Sequence, residues 1–197
     1  MRSRYVLFSA LYPPHMGGIE NFTYCLAHAL VDRGDEVLVV TNDTNGLGAG
    51  ITDEDGVSVL SLPCFPFFAG RFPVPKINAV SHKLWKGIEC QQFDGVLVNA
   101  RFYIHSLDGI RFAKRLGVTP VVLDHGSAFL SFSNPVIDPL VRTYERLITT
   151  LGKWFHPDYY GVSSKSVDWL RSFGIAAKSV IPVSYTHLRA HETKANL

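Results

Sequence analysis

The chain has 197 residues, of which 47% are hydrophobic and 18% are charged, and its formal net charge is +2. Such a length can hold one domain with a single core, and the composition excludes a disordered chain. The small net charge gives no reason to expect nucleic acid as a partner, because nucleic-acid binding usually needs a concentrated basic patch.

The cysteines and the apolar runs indicate where the protein works. Cys25, Cys64 and Cys90 are scattered, with neither metal-ligand spacing nor a disulfide framework. This usage suits a reducing cytoplasm. No apolar run approaches the roughly 18 residues that a membrane-spanning helix needs. The basic residues 1–4 precede a run too short for a signal peptide, so none is expected.

The turn at Gly17 and Gly18 joins the first predicted strand to the first predicted helix. Residues 5–10 form a short apolar run typical of a buried strand. Apolar residues then recur every three or four positions, which predicts a helix over 19–33 that ends at Gly34. Glycines at a helix N-terminus leave backbone N–H groups open to an anion such as a phosphate. The competing interpretation is a plain strand-to-helix turn.

The segment 63–75 is unusual because it holds four prolines and four phenylalanines. It follows a second strand predicted over 36–41, a polar loop over 42–56 and a short strand over 57–60. The prolines exclude a helix or an inner strand, so a loop is predicted. This loop either packs over the domain edge or exposes an apolar surface for binding.

Asn99 and Arg101 lie at the C-terminal end of the next predicted strand, which falls within 93–99 after a helix over 78–91. In open α/β sheets, ligands bind outside the C-terminal ends of the strands. The planar fork of Arg101 suits a phosphate or a sugar, and the competing interpretation is a solvated surface arginine.

His125 lies at the end of the following strand, which is predicted over 119–123. The run from Asp124 to Ser127 therefore reaches the same edge of the sheet. We favour a functional role for His125, and a hydrogen-bonded structural histidine is the alternative. Asp124 could orient the imidazole, although adjacent side chains often point apart on a strand.

The rest of the chain continues the alternation of strands and helices. The predicted elements are helices over 107–116, 139–152 and 164–173, with a strand near 158–162 and a last strand over 179–182. Asp138 is the predicted N-cap of the second of these helices, and Ser163 or Ser164 that of the third. The second carries Leu140, Tyr144, Leu147 and Leu151 at helical spacing. This alternation predicts a Rossmann-like α/β domain with a parallel sheet and helices on both faces.

One motif resembles a known family. Tyr-Pro-Pro-x-x-Gly-Gly-x-Glu begins at Tyr12, and a helix and the run Arg-Gly-Asp-Glu-Val-Leu-Val-Val-Thr over 33–41 follow it. This arrangement is similar to the start of a GT-B glycosyltransferase, and most of all to the N-terminal domain of the retaining family 4 enzymes. The resemblance implies that Gly17 and Gly18 reach a cleft near the donor phosphates and the acceptor. Glu20, in the first helical turn, is then either a partner of the helix dipole or an acceptor contact.

The same resemblance extends to His125, because family 4 enzymes commonly have a strand that ends in Glu/Asp-His-Gly at this place. It implies that His125 contacts the transferred sugar or positions the reacting groups. We do not expect a general base, since retaining transfer in this family is thought to proceed by front-face departure of the nucleotide diphosphate. The protein then supplies charge stabilisation and orientation, for which Asn99, Arg101 and Ser127 are further candidates.

The resemblance also implies the partners. They are a nucleotide-diphosphate sugar as co-substrate and a glycan or lipid-linked acceptor, with no metal ion. Many acceptors of the family are membrane-borne, so the apolar segment 63–75 is a candidate for peripheral contact with the inner face of the plasma membrane.

The family pattern breaks off at Val183. Residues 183–197 are polar, and His187 and His191 within them do not form the H-E-x-x-H metal motif. We interpret 1–182 as the acceptor-side N-terminal domain and 183–197 as a non-native read-through tail. A second, nucleotide-binding domain is expected in the family, so we predict that this chain is inactive alone.

The alternative function is a non-catalytic α/β domain that binds a phosphorylated ligand at the helix N-terminus beside Gly17 and Gly18. Binding without turnover would favour it. A dehydrogenase is a distant third interpretation, because the fingerprint G-x-G-x-x-G is absent.

Overall fold

The computed structural model describes residues 2–182. The strands in this part of the chain are β1 (Arg4–Phe8), β2 (Glu36–Asp43), β3 (Gly50–Glu54), β4 (Val57–Phe67), β5 (Phe72–Pro75), β6 (Gly95–Asn99), β7 (Val121–Asp124) and β8 (Asp158–Gly161). The helices are α1 (Gly18–Asp32), α2 (Ala79–Glu89), α3 (Ile104–Arg115), α4 (Ile137–Lys153) and α5 (Ser164–Arg171). None of these five helices is long and apolar enough to cross a bilayer.

The sheet is mostly parallel. Its strand order is β3-β4-β2-β1-β6-β7-β8, and β5 pairs with β4 beyond this path. Every pair from β4 to β8 along this order is parallel, whereas β3 and β5 run antiparallel to β4. The chain moves outward from β1 in one direction and later returns to build the other side from β6. The C-terminal ends of β1 and β6 therefore flank the switch point of the sheet, where α/β domains bind ligands.

The apolar side chains of β1 alternate between two cores, which explains why both faces carry helices. Val6 and Phe8 lie in the core that contains Ile110 and Phe112 of α3. Leu7 lies in the opposite core, together with Ala27 of α1. Successive strand residues point to opposite faces, so a continuous apolar run can fill both. The predicted Rossmann-like α/β fold, with helices on both faces, is confirmed.

The polar loop predicted over 42–56 is partly wrong, because β3 lies within it. Its residues are largely exposed, and it pairs along the outer side of β4 with Thr52 opposite Val59. An edge strand whose two faces are both exposed to solvent shows no alternation of apolar and polar residues, so sequence patterns do not reveal it.

The loop predicted over 63–75 is also wrong in part. β4 continues to Phe67, and β5 pairs with it as a hairpin in which Pro66 lies opposite Pro73. Each strand of a two-stranded hairpin has a free edge, so a proline there need not donate to a ladder. No helix forms here, as predicted, but the exclusion of an inner strand is wrong at Pro63, because this residue belongs to β4 and pairs with Asp43 of β2.

The helix ends agree with the sequence at two places and differ at two. Gly34 follows α1 with φ +97°, and the Ser163 hydroxyl accepts from the backbone N–H of Ser166 at the start of α5. In contrast, α3 begins one turn earlier than predicted. Asp138 is not an N-cap, because α4 begins at Ile137 and the Asp138 carboxylate instead accepts from the backbone N–H of Phe132 at 2.8 Å.

The helix α4 buries a different face from the one that its leucines suggest. Leu140 and Leu147 are exposed, whereas Val141, Glu145 and Ile148 are buried. The buried face includes a glutamate because a buried arginine pairs with it. The last predicted strand, over 179–182, is reduced to a single bridge between Gly161 and Val180. The expectations for 183–197 lie outside the described residues.

Candidate active site

The N-terminus of α1 carries a carboxylate of the chain itself. Gly17 precedes the helix in an extended conformation, with φ −175° and ψ 176°. The Glu20 side chain folds back over it, because a Cβ added at Gly17 would lie 2.2 Å from Glu20 Oε2. Glu20 is buried, and its Oε1 lies 3.8 Å from Nδ1 of His15. The helix end that sequence patterns predict as an anion site is therefore covered by Glu20, beside the predicted pair Gly17 and Gly18.

His125 joins the ends of two neighbouring strands. It follows the last residue of β7, and its Nε2 donates to Oδ1 of Asn99, the last residue of β6, at 3.1 Å. Asn99 Nδ2 in turn donates to Oγ1 of Thr23 on α1, at 2.9 Å. Asn99 and Thr23 are buried, and His125 is half-buried. A hydrogen-bonded chain thus links β7, β6 and α1 across the switch point.

The direction of each hydrogen bond follows from the chain itself. Thr23 Oγ1 donates to the carbonyl oxygen of Ile19 at 2.8 Å, so its lone pair is left to accept from Asn99. The amide of Asn99 then presents its oxygen to His125, which assigns the proton of the neutral imidazole to Nε2. His125 Nδ1 carries the lone pair, and it has no hydrogen-bond partner among residues 2–182. Nδ1 is itself buried, so it is an unpaired acceptor enclosed by the chain rather than one open to solvent.

Burial lowers the pKa of His125 to about 4. The imidazole and the ring of Phe22 pack at an interplanar angle of 62°, with 5.1 Å between the ring centroids, and this apolar contact contributes to the desolvation. The imidazole is therefore neutral at physiological pH. A neutral imidazole with a bound Nε2 and a free Nδ1 can accept a hydrogen bond from a hydroxyl group.

Arg101 is not the solvated surface arginine that sequence analysis allowed. Its guanidinium is 1% exposed, and its Nη1 lies 2.9 Å from the Asp124 carboxylate. Its Nη2 lies 3.3 Å from Glu145 on α4. The guanidinium that we predicted to bind a phosphate is therefore paired with two carboxylates of the chain. Direct contact between Arg101 and a ligand stays a prediction. Asp124 contacts Arg101 and makes no recorded hydrogen bond to the imidazole of His125.

Two carboxylates share this one guanidinium, and their pKa values reflect it. Burial raises the pKa of Glu145 to about 7, while the Leu130 N–H and Arg101 act against that rise. Burial also raises the pKa of Asp124, and Arg101 again opposes it. Ser127, the remaining predicted site residue, is exposed on the loop after His125.

Sequence analysis missed Thr23 and Glu145. Thr23 is a polar residue on the buried side of α1, four positions after Ile19. Glu145 stands between Val141 and Ile148 at helical spacing, so a charged residue on an apolar face was the available signal. No three His, Cys, Asp or Glu side chains come together as a metal site in the part of the chain that the structure describes.

Polar side chains gathered at the switch point of a parallel α/β sheet define a ligand-binding Rossmann-like domain. The sequence model of glycosyltransferase family 4 matches residues 16–183, and the chain belongs to this family. The match includes the turn at Gly17 and Gly18, Asn99, and the loop after His125. No curated protein sequence matches the chain significantly.

Solved structures share the fold of the chain. The chain resembles sucrose-phosphate synthase from Thermosynechococcus elongatus, with a TM-score of 0.65 and 14% identity, over 100% of this chain and 53% of that chain. A second structure of that synthase matches with a TM-score of 0.56 and 13% identity, over 98% of this chain and 96% of that one. At these identities the likeness shows the fold alone. The chain spans about half the length of the first synthase chain.

Proposed function

We propose that this chain is the acceptor-side half of a retaining glycosyltransferase, which transfers a sugar from a nucleotide-diphosphate donor to a glycan or lipid-linked acceptor. One observation carries the proposal. In a chain of glycosyltransferase family 4, hydrogen bonds link the first helix to His125 through Thr23 and Asn99 at the switch point of the sheet. Such a network fixes a side chain in one orientation, which transfer between two substrates requires.

The proposed role of His125 is to orient a hydroxyl group of the sugar or the acceptor. Its Nδ1 is a buried acceptor without a partner among residues 2–182, so the proposed hydroxyl group must reach an enclosed atom, and Asn99 holds the ring from the other side. A pKa of about 4 makes His125 a poor general base near neutral pH, because the imidazole then holds a proton only weakly. Orientation, rather than proton removal, is therefore the role that we assign to it. Ser127 is exposed on the same loop and is the proposed second hydroxyl contact.

The proposed role of the α1 N-terminus is to stabilise charge that develops on the departing diphosphate. The backbone N–H groups at Gly17 and Gly18 and the helix dipole favour negative charge there. The carboxylate of Glu20 covers Gly17, however, and would repel a phosphate placed directly upon it. We therefore assign Glu20 to an acceptor hydroxyl. The same observation weighs against any phosphate placed directly upon Gly17, whether it belongs to the departing diphosphate or, in the alternative function, to a phosphorylated ligand.

The phenylalanine-rich hairpin of β4 and β5 is the proposed contact with a membrane-borne acceptor. Phe65 is 50% exposed and Phe67 is 52% exposed, and Lys76 lies over the Phe65 ring at 4.8 Å. Exposed aromatic rings beside a cation suit the interface of an anionic bilayer. Phe68 is different, since its ring packs 4.2 Å from that of Phe132. The proposed location is the cytoplasm, with peripheral contact at the inner face of the plasma membrane through this hairpin.

The experiment that tests the proposal compares this chain with the product of its complete source gene. Each is incubated with a panel of nucleotide-diphosphate sugars and membrane extracts. We expect transfer with retained anomeric configuration from the full product, unaffected by EDTA because no metal ion is proposed, and no turnover from residues 1–197 alone. Binding of a phosphorylated compound with no transfer by either protein would instead support the alternative function.

A further inference from the structure

One guanidinium holds two buried carboxylates. Arg101 contacts both carboxylate oxygens of Asp124, at 3.1 and 2.9 Å, through Nη1 alone. Its Nη2 reaches Oε2 of Glu145 at 3.3 Å. The three side chains are at most 1% exposed. The group joins the end of β7, the loop after β6 and the middle of α4, which are distant in sequence.

Both carboxylates also bind the loop that bears His125. The backbone N–H of Leu130 donates to Oε1 of Glu145 at 2.7 Å. Asp124 immediately precedes His125 in the chain, and the nearby backbone N–H of Gly126 acts to lower the pKa of its carboxyl group. The loop over 125–130 is thus tied at its start through Asp124 and at its end through Glu145, and both ties meet at the guanidinium of Arg101.

Aromatic rings close the other sides of the guanidinium. Its central carbon lies 4.2 Å from the centroid of the Phe173 ring and 5.5 Å from that of Trp169. A Cβ added at Gly126 would lie 3.7 Å from Arg101 Nη1 and 3.6 Å from Trp169 Nε1, so the loop covers the group directly. Planar stacking and forked donation are properties of arginine that lysine lacks.

We propose that Arg101 is a positioning residue, which holds both ends of the loop over 125–130 and thereby sets the orientation of His125. The role of His125 in sugar transfer rests on the proposed function. The claim that Arg101 holds the loop over 125–130 does not depend on it. Stability alone is a poor reason for the arrangement, since replacing a buried ion triad by apolar side chains is often neutral or stabilising. A guanidinium that contacts two carboxylates at once instead fixes the position of the loop that both carboxylates adjoin.

The test uses the chain 1–197, labelled with ¹⁵N, and the substitution Arg101→Lys. Lysine keeps the positive charge but offers one ammonium group, which cannot reach both carboxylates with the same geometry. We expect hydrogen exchange at the Leu130 amide to rise at least tenfold, while the core amides of Val98 and Val122 keep the wild-type rate. The imidazole ¹⁵N signals of His125 should shift as the ring loses its single orientation.

A matched control separates positioning from general loss of stability. Val141→Ala removes buried methyl groups from the same face of α4 without touching the ion group. It should raise exchange at all core amides together and leave the His125 signals in place. If Arg101→Lys gives that same uniform pattern, or leaves Leu130 and His125 as in the wild type, the proposal is overturned.

A second variant covers the case in which Arg101→Lys does not fold. Glu145→Gln is isosteric, but it keeps an oxygen at only one of the two carboxylate positions, so its NH2 group must face either the Leu130 N–H or Arg101, which are both donors. We expect a local rise in exchange at Leu130 and no change at Val98. These readouts need no turnover, so local loosening in a protein without transferase activity would sustain the positioning role while the proposed function failed.

Discussion

Nε2 of His125 lies 3.1 Å from Oδ1 of Asn99, and this contact joins the ends of two adjacent parallel strands at the switch point of the sheet. Because Asn99 donates onward to Thr23, its oxygen must face the imidazole. The contact therefore fixes the tautomer of the imidazole, and it leaves the buried Nδ1 without a hydrogen-bond partner among residues 2–182.

Asn99→Asp should raise the pKa of His125 by about 1 or more from its value of about 4. A carboxylate at that position favours the charged imidazolium, so the sign of the change is upward. The pKa is measured by following the imidazole NMR signals of His125 with pH. Asn42→Asp is the control, because Asn42 is another buried asparagine at the end of a parallel strand but binds the carbonyl oxygen of Ala10. An equal rise in both variants would contradict the assignment.

Much of the site could be predicted because it follows from apolar runs. The buried strands that lead to Gly17, Asn99 and His125 are short runs of consecutive apolar residues. Parallel strands of one sheet end at a common edge. Asn99 and His125 were therefore expected at the same edge, where they now form a hydrogen bond.

The other features depend on contacts that no local pattern reports. Arg101 and Glu145 are 44 residues apart in sequence, and only the packed structure shows that the guanidinium donates a hydrogen bond to the buried carboxyl group. Leu140 and Leu147 on α4 suggested an apolar face, but the helix turns Glu145 inward because its charge partner lies there. β3 was not predicted because most of its residues are exposed to solvent.

Glu145→Gln should change how the stability of the protein depends on pH. The folded-state pKa of Glu145 is raised from 4.5 to about 7, so the folded state keeps a proton that the unfolded state releases. The wild type therefore loses stability from this group as pH rises from 4.5 through 7. Relative to the wild type, the variant should gain up to about 3 kcal/mol over this range, measured by urea unfolding at pH 5 and pH 8.

His105 and His125, whose pKa values are lowered to about 4, are present in both proteins. Their contributions to the pH dependence of stability therefore cancel in the difference between the variant and the wild type. Glu89→Gln is the matched control, because Glu89 is exposed at the end of α2. It should leave the difference flat between pH 5 and pH 8. A flat difference for Glu145→Gln as well would show that Glu145 stays ionised in the folded protein.

Gly17→Ala should destabilise the wild type but not the Glu20→Ala variant. Residue 17 is extended, so alanine causes no backbone strain there, but its Cβ would displace the Glu20 carboxylate from the helix end. In a double-mutant cycle by urea unfolding we expect a coupling of about 1 kcal/mol between the two positions. The same loss in both backgrounds would mean that Glu20 does not need the space above Gly17.

Replacing Phe65 and Phe67 together by serine should weaken binding to liposomes that contain anionic lipid. Both rings are about half exposed on the hairpin, so their loss removes membrane contact without opening the core. Co-sedimentation of the chain 1–197 measures the effect, and Leu47→Ser, at a residue that is 79% exposed in another loop, is the control. Unchanged binding of the double variant would count against the membrane contact, and Phe68→Ser is a poorer test because Phe68 packs on Phe132.

The most direct test of the central claim is sugar transfer by the complete gene product that carries His125→Ala. The control is His82→Ala, the same substitution at an exposed histidine on α2. If His125 orients the reacting hydroxyl group, its loss should lower kcat/KM by about 100-fold or more in a folded protein, while His82→Ala keeps the wild-type value. Wild-type transfer by the His125→Ala variant would contradict the site that the fold assembles around this residue.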